Sequence, residues 1–117
     1  VTGNGDYLTM RLGDVYKNVD IKGDYGSLKI DNITANAGNV SIQSDYLGIT
    51  IGYDPGYNFN FDITTEYGSI RNTDSFEFTK KKVESTEKYY LGYYGSSNSG
   101  NLIKINSDYG SVTFKKN

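Results

Sequence analysis

The phrase SDYGSVTF, at residues 107–114, has three further copies in this chain of 117 residues. The other copies read GDYGSLKI at 23–30, SDYLGITI at 44–51 and TEYGSIRN at 65–72. Successive copies lie 21, 21 and 42 residues apart, and 42 is twice 21. A fixed period of this length is typical of folds in which short units stack on one another.

The residues around each copy alternate between apolar and polar, which is the pattern of a half-buried β-strand. A unit of about 21 residues cannot bury its apolar face alone and has to stack on its neighbours. Stacking would align Ile21, Ile42, Ile63 and Ile105 in one column. The sequence therefore predicts an all-β fold: a short parallel β-helix (β-solenoid) of about five coils, with three short strands in each coil.

The repeated phrase itself is expected to form a corner of this solenoid. Its glycines, Gly26, Gly68 and Gly110, can adopt the positive φ that a sharp bend needs, and the acid before each tyrosine can accept a hydrogen bond from a turn amide. The tyrosines would then form a ladder, each ring near the next; they are Tyr25, Tyr46, Tyr67 and Tyr109.

The 42-residue interval interrupts the period. At the position of the missing copy, Lys82 and Lys88 fall in columns that are otherwise apolar or aromatic. Buried lysines without partners are costly, so an excursion is favoured over a degenerate coil. The segments FEFTKKK and EKYYLGYY are expected to pair as a β-hairpin that leaves the body at about 76–95.

The length of the chain fits one domain, residues 1–117. Its composition excludes several kinds of site. Cysteine and histidine are absent, so the chain has no disulfide, catalytic thiol or histidine-ligated metal, and no cofactor is predicted. Residues 1–79 hold 11 acids and 5 bases, whereas residues 80–117 hold 3 acids and 7 bases. The pI of about 5.0 argues against nucleic-acid binding. No transmembrane segment is predicted.

The DYGS phrase, followed by alternating apolar residues, resembles the bacterial domains known as putative adhesins, including the auto-transporter adhesin head GIN domains. The likeness covers residues 5–72 and 101–114 best and 76–95 poorly. It implies a short β-helix in a protein of the bacterial cell envelope, periplasmic or at the outer surface, and it brings no catalytic residue. Together with the abrupt start at VTGNGDY, it suggests the C-terminal part of a longer envelope protein.

Two sets of residues are candidates for a ligand site. Stacked carboxylates could share a divalent cation, although turn capping is the simpler role; they are Asp24, Asp45, Glu66 and Asp108. If Tyr89, Leu91 and Tyr93 pack on the body, the opposite face of the hairpin and the loop at 52–59 would expose rings to a glycan or protein. Those rings are Tyr53, Tyr57, Tyr90 and Tyr94. The alternative is that these rings only cover the wall of the solenoid.

These observations favour a non-enzymatic module of the cell envelope or surface that acts in adhesion or assembly. A carbohydrate-binding module that uses the loop tyrosines is the alternative, and an enzyme acting on polysaccharides is a more distant one. Expected partners are a surface glycan or a protein. Because the open end of a solenoid has unpaired strand edges, end-to-end association into a homo-oligomer is also expected.

Overall fold

The structure is a computed structural model that describes residues 2–35, 37–72, 76–84, 86–96 and 100–117, apart from the side chains of Thr2, Asn4, Leu8 and Leu47. These residues form nine β-strands and no helix. The strands are β1 (Thr2–Val15), β2 (Val19–Ile33), β3 (Val40–Tyr53), β4 (Phe59–Glu66), β5 (Ile70–Arg71), β6 (Glu77–Val83), β7 (Glu87–Tyr94), β8 (Leu102–Ser107) and β9 (Val112–Lys116). The fold is therefore all-β.

The strands belong to one mixed sheet, in the order β1-β2-β3-β8-β4-β7-β6. The first five strands of this order are parallel to one another. Strand β7 is antiparallel to both of its neighbours, β4 and β6. The short strand β9 pairs with β3 and β5, beyond the bend in β3. The sheet curls around its core as an open half-barrel.

The predicted parallel β-solenoid with regular coils is wrong. Strands β8 and β9, which come last in the chain, lie between β3 and the β4–β5 segment, so the order in space departs from the order in sequence. The antiparallel pairs of β7 also have no place in a parallel solenoid. The predicted three short strands per unit do not occur in the first units either, because β2 and β3 are single strands of 15 and 14 residues.

The long strands bend at the repeated phrase. In β2, Val19 and Ile21 are buried before the bend, whereas Leu28 and Ile30 are buried after it, and residues 24–27 are exposed. In a straight strand, odd and even positions face opposite sides, so this change of parity requires a bend. Both halves of each long strand therefore face the same core.

The parallel strands are in register one sequence period apart. Ile42 pairs with Ile21 on one side and with Ile105 on the other, and Ile105 pairs in turn with Ile63. The four side chains are between 0 and 2% exposed. Next to the bend, a second column places three buried hydroxyls, those of Ser44, Ser107 and Thr65, on adjacent strands. These hydroxyls make no hydrogen bond in the described structure.

The segment at 76–95 does form a β-hairpin, from β6 and β7, but this hairpin does not leave the body. Strand β7 pairs along its whole length with β4, from Phe59↔Tyr94 to Glu66↔Glu87. The hairpin therefore extends the sheet. Its apolar inner side covers an aromatic core, in which Tyr53, Phe59 and Phe76 contact one another at ring centroid distances of 5.5 to 5.9 Å.

Candidate functional site

Five tyrosines form a continuous ladder at the bend of the sheet. In the order of the strands they are Tyr7, Tyr25, Tyr46, Tyr109 and Tyr67. The distances between successive ring centroids are 5.3, 4.9, 4.7 and 5.0 Å. The three pairs after the first are within 6° of parallel. The in-register pairing of the strands positions these rings, since Tyr7 pairs with Tyr25 and Tyr25 with Tyr46.

The ladder is exposed to solvent. Its central rings are 44 to 50% exposed, Tyr67 is 57% exposed and Tyr7, at the edge strand, is 85% exposed. Since the faces of the inner rings are covered by their neighbours, each presents its edge and hydroxyl. Large contiguous apolar or aromatic surface is uncommon on a protein that has no partner, which makes this row a candidate contact surface.

The corner glycines do not share one role. Gly26 has a positive φ of 132°, as expected, whereas Gly68 and Gly110 do not, so the expectation is wrong for these two. In the copy at 65–72, the residue with a positive φ is Tyr67, which precedes the glycine and has a φ of 58°. Gly68 is needed for space, because a Cβ atom there would collide with the carbonyl oxygen of Gly110.

Within the described residues, no group of three or more acidic side chains is placed to hold a metal ion. A surface cavity of about 300 Å³ lies next to Asp6, Asp24 and Asp45, and Lys22 lines the same cavity. The lysine supplies a positive charge among the three carboxylates.

The other two acids lie near the opposite end of the ladder and act on its tyrosines. Partial burial among the neighbouring groups raises the pKa of Tyr109 above its ordinary value. The nearby Tyr46 and Tyr67, and then Glu66 and Asp108, raise it further. The Tyr109 hydroxyl is therefore neutral at physiological pH.

The four loop tyrosines expected to be exposed are buried. Tyr53 and Tyr57 are 1% and 0% exposed, and Tyr90 and Tyr94 are 9% and 8% exposed. The Tyr57 hydroxyl donates a hydrogen bond to the Gly38 carbonyl at 2.6 Å, and the Tyr94 hydroxyl donates one to the Pro55 carbonyl at 2.9 Å. Burial raises the pKa of both Tyr53 and Tyr57 to about 12, and raises that of Tyr90. The expectation that these rings face solvent is wrong.

Sequence reasoning assigned the two faces of β7 the wrong way round and so missed its outer side. Tyr90 pairs with Ile63 and Tyr94 with Phe59, and both partners are in the core. Tyr89, Leu91 and Tyr93 therefore lie on the outer face, partly exposed. Alternation within β7 fixes which residues share a face, but only pairing with β4 decides which face is buried.

The lysine run 80–82 lies on the exposed strand β6. Lys80 lies over the Tyr89 ring, with its Nζ 5.9 Å from the ring centroid. Lys81 lies over Phe78 and Tyr90 on the other side of the hairpin, at 5.5 and 5.7 Å. Lys82 forms an ion pair with Glu84 at 3.2 Å. The run thus alternates between the two sides of the hairpin edge.

Comparisons with known proteins inform the fold alone. No family model matches the chain, and no curated protein matches it. Among solved structures, the chain is similar to the crystal structure of a "putative cell adhesion protein" from Clostridium sporogenes, with 18% identity and a TM-score of 0.56. The match covers 98% of this chain and 52% of that one, so this chain spans about half the length of its structural neighbour. The resemblance to GIN domains stays a prediction.

Proposed function

We propose that this protein is a non-enzymatic module of the cell envelope or cell surface that acts in adhesion, with the tyrosine ladder as its contact surface. The observation that carries the proposal is the exposure of five stacked rings in a single row. Tyrosine suits a contact surface because its rigid, amphipathic ring adds contact area at a low cost in conformational entropy. In the ladder, stacking already restrains the rings before a partner arrives.

The structural neighbour supports the same role. It is described as a "putative cell adhesion protein", and its fold matches 98% of this chain. Among the residues that the structure describes, no helix is long and apolar enough to cross a membrane.

On the outer face, the spacing of one pair of carboxylates argues against glycoside hydrolysis by that pair. Asp20 and Asp62 share a column there, but Ser41 of β3 and Lys104 of β8 lie between them. Three strand spacings separate the two acids by about 14 Å. Paired carboxylates that hydrolyse glycosides are about 5 to 9.5 Å apart, so this pair does not have the spacing for such a reaction.

Bead adhesion tests the proposal. Fluorescent beads carry equal amounts of the wild-type protein, of the variant Tyr25→Ser/Tyr46→Ser/Tyr109→Ser, or of the control Tyr16→Ser. Tyr16 is 62% exposed and lies outside the ladder, which makes it a matched surface tyrosine. We expect wild-type and Tyr16→Ser beads to stay on immobilised bacterial cells or epithelial monolayers under flow, and the triple variant to lose most of this retention.

Two results would overturn the proposal. One is retention of wild-type beads no better than that of albumin-coated beads, and the other is equal retention of the triple variant. Because each stacked pair contributes about 0.5–1.5 kcal/mol, thermal melting has to show that the triple variant is folded at the assay temperature. Release of reducing ends from polysaccharides by the wild-type protein, absent in a heat-inactivated sample, would contradict the non-enzymatic role.

A further inference from the structure

The outer face of the sheet is polar on most strands and changes character at β7. On β2, β3 and β8 its exposed positions carry residues such as Asp20, Gln43 and Lys104. On β7 the equivalent positions are Tyr89, Leu91 and Tyr93, and we call these three residues the hairpin platform. Tyr89 and Tyr93 are four positions apart on one strand, so the platform is about 13 Å long.

A shallow cavity lies over one end of the platform. It has a volume of about 350 Å³, and its lining includes Leu91, Tyr93 and, from β8, Leu102. Leu102 is 38% exposed, so apolar surface from two separate strands meets there in contact with solvent. The cavity is therefore apolar at its base and open to solvent.

Charges of both signs flank the platform. Leu91 lies opposite Asp62 on one side and Lys80 on the other. Tyr93 lies opposite Glu77 on β6, and Lys104 is paired with Asp62 one strand further from the platform. Hydrogen-bond donors and acceptors are thus both present within one or two strands of the apolar strip.

We infer that the hairpin platform is a binding site for neutral polysaccharides. A pyranose ring has an apolar C–H face, which can pack on Tyr93 and Leu91 at the cavity, and a rim of hydroxyls that both donate and accept hydrogen bonds; the Tyr89 ring carries Lys80 over its face and holds that lysine beside the sugar. The lysines can donate to that rim and Asp62 and Glu77 can accept from it. An acidic polysaccharide would bring its carboxylates close to the same two acids and is disfavoured.

This site is separate from the tyrosine ladder. The ladder lies at the bend of the sheet, while the platform lies on the outer face of the hairpin, and the two sets share no residue. Binding at the platform can therefore be present or absent whatever the outcome for adhesion through the ladder, and single variants can tell the two apart.

Affinity electrophoresis and calorimetry with defined polysaccharides test the inference. The neutral probes are laminarin, mannan and xyloglucan, and the acidic probes are alginate and polygalacturonate. We expect the wild-type protein to bind at least one neutral probe and to bind both acidic probes at least tenfold more weakly. Tyr93→Ala should lower the association constant for the neutral probe at least tenfold, and Tyr93→Phe should leave it within about twofold.

The controls separate the platform from the ladder and from loss of fold. Tyr25→Ser, in the ladder, and Tyr16→Ala, on another surface, should both bind the neutral probe as the wild-type protein does. If Tyr93→Ala melts at a much lower temperature, Leu91→Thr replaces it, because Thr removes apolar surface from the platform while its β-branched side chain favours a strand. The inference is overturned if the wild type binds none of the neutral probes, if it prefers the acidic probes, or if both platform variants bind like the wild type.

Discussion

The glycine of the repeated phrase has a different physical role in each copy. Gly26 is needed for its backbone conformation, with φ at 132°. Gly68 is needed for its lack of a side chain, because the chain passes close to the Gly110 carbonyl. Gly48, which stands one position later in its copy, has open space where a Cβ atom would lie. Glycine in the repeated phrase therefore meets two different requirements, and at Gly48 it meets neither of them.

Alanine at two of these positions should separate them. We expect Gly68→Ala to lower the free energy of unfolding by about 3 kcal/mol, because its Cβ would collide with the Gly110 carbonyl oxygen in the neighbouring turn. Gly48→Ala should change the free energy of unfolding by less than about 0.5 kcal/mol. Urea unfolding followed by circular dichroism measures both. Equal stabilities of the two variants would contradict the close approach at Gly68.

The buried tyrosines should make the protein sensitive to alkali. The pKa of Tyr57 is about 12 in the folded protein, against 10.0 for an unperturbed tyrosine. Below about pH 10 the hydroxyl is neutral in both states, so stability does not depend on its ionisation. Between pH 10 and 12 the unfolded chain releases a proton that the folded protein keeps, and the free energy of unfolding should fall as pH rises.

The variant Tyr57→Phe tests this assignment. At neutral pH we expect it to lose about 1 kcal/mol of stability, because the hydrogen bond to the Gly38 carbonyl is removed. Between pH 10 and 12 its stability should fall less steeply than that of the wild type, with Tyr53 still contributing. Urea midpoints across this pH range provide the measurement, and Tyr16→Phe serves as the surface control. Parallel curves for Tyr57→Phe and the wild type would exclude Tyr57 as a source of the fall.

At the scale of the element, β8 combines a buried apolar face with a buried polar group. It is flanked by β3 and β4, and its inward residues, Ile103, Ile105 and Ser107, are at most 1% exposed. Two of these residues fill the core, while the third buries a hydroxyl that has no partner in the described structure. Burial on this strand is therefore strongly stabilising at the two isoleucines and unfavourable at the serine.

Substitutions two residues apart in β8 should have opposite effects. Ile105→Ala removes a fully buried side chain and should cost about 3 kcal/mol. Ser107→Ala removes an unpaired buried hydroxyl, and we expect it to leave stability unchanged or raise it by up to about 1 kcal/mol. Thermal and urea unfolding would show the difference. A large loss of stability in Ser107→Ala would mean that its hydroxyl is satisfied after all.

Period and alternation are enough to predict the all-β class and the residues that share a column, such as Ile21 and Ile42. They do not predict the order of the strands, since any stacking order of equivalent units buries the same columns. The inner and outer faces of β7 could not be assigned for a related reason. Both of its faces carry tyrosines, so Tyr90 and Tyr93 look equivalent until the pairing with β4 is known.

At the scale of the whole molecule, the last two strands of the sequence, β8 and β9, join two parts of the open sheet. Strands β3 and β4 are neighbours in sequence, but β8 separates them in space and β9 does the same for β3 and β5. The tyrosine ladder depends on this arrangement, since Tyr109 stacks between Tyr46 and Tyr67. Without the last strands, the ladder would lose its fourth ring and Tyr67 would be separated from the other three.

Paired cysteines can test this strand order directly, because the natural chain contains no cysteine. Gln43 and Asn106 are opposite each other on adjacent parallel strands, so Gln43→Cys/Asn106→Cys should form a disulfide under mild oxidation. Gln43 and Thr64 are separated by β8, at about 10 Å, which is too far for a disulfide without movement of the backbone.

Mobility on non-reducing gels and titration of free thiols show whether each of the two cysteine pairs has formed a disulfide. A regular stack in sequence order would reverse the result, because it would place Gln43 beside Thr64 and leave Asn106 two strands away. Rapid cross-linking of Gln43→Cys/Thr64→Cys, with none for the other pair, would therefore overturn the strand order.

Because β8 and β9 lie in the middle of the sheet, its strands cannot pair in the order in which they are translated. The ribosome makes β1 to β7 of the described sheet before these two strands. A nascent chain that ends at β7 therefore contains β3 and β4, but not the strand that pairs with both. We expect such a chain to stay protease-sensitive until residues 102–116 are free to enter the gap. For the same reason, cutting the chain between β7 and β8 would separate the middle of the finished sheet from both of its margins.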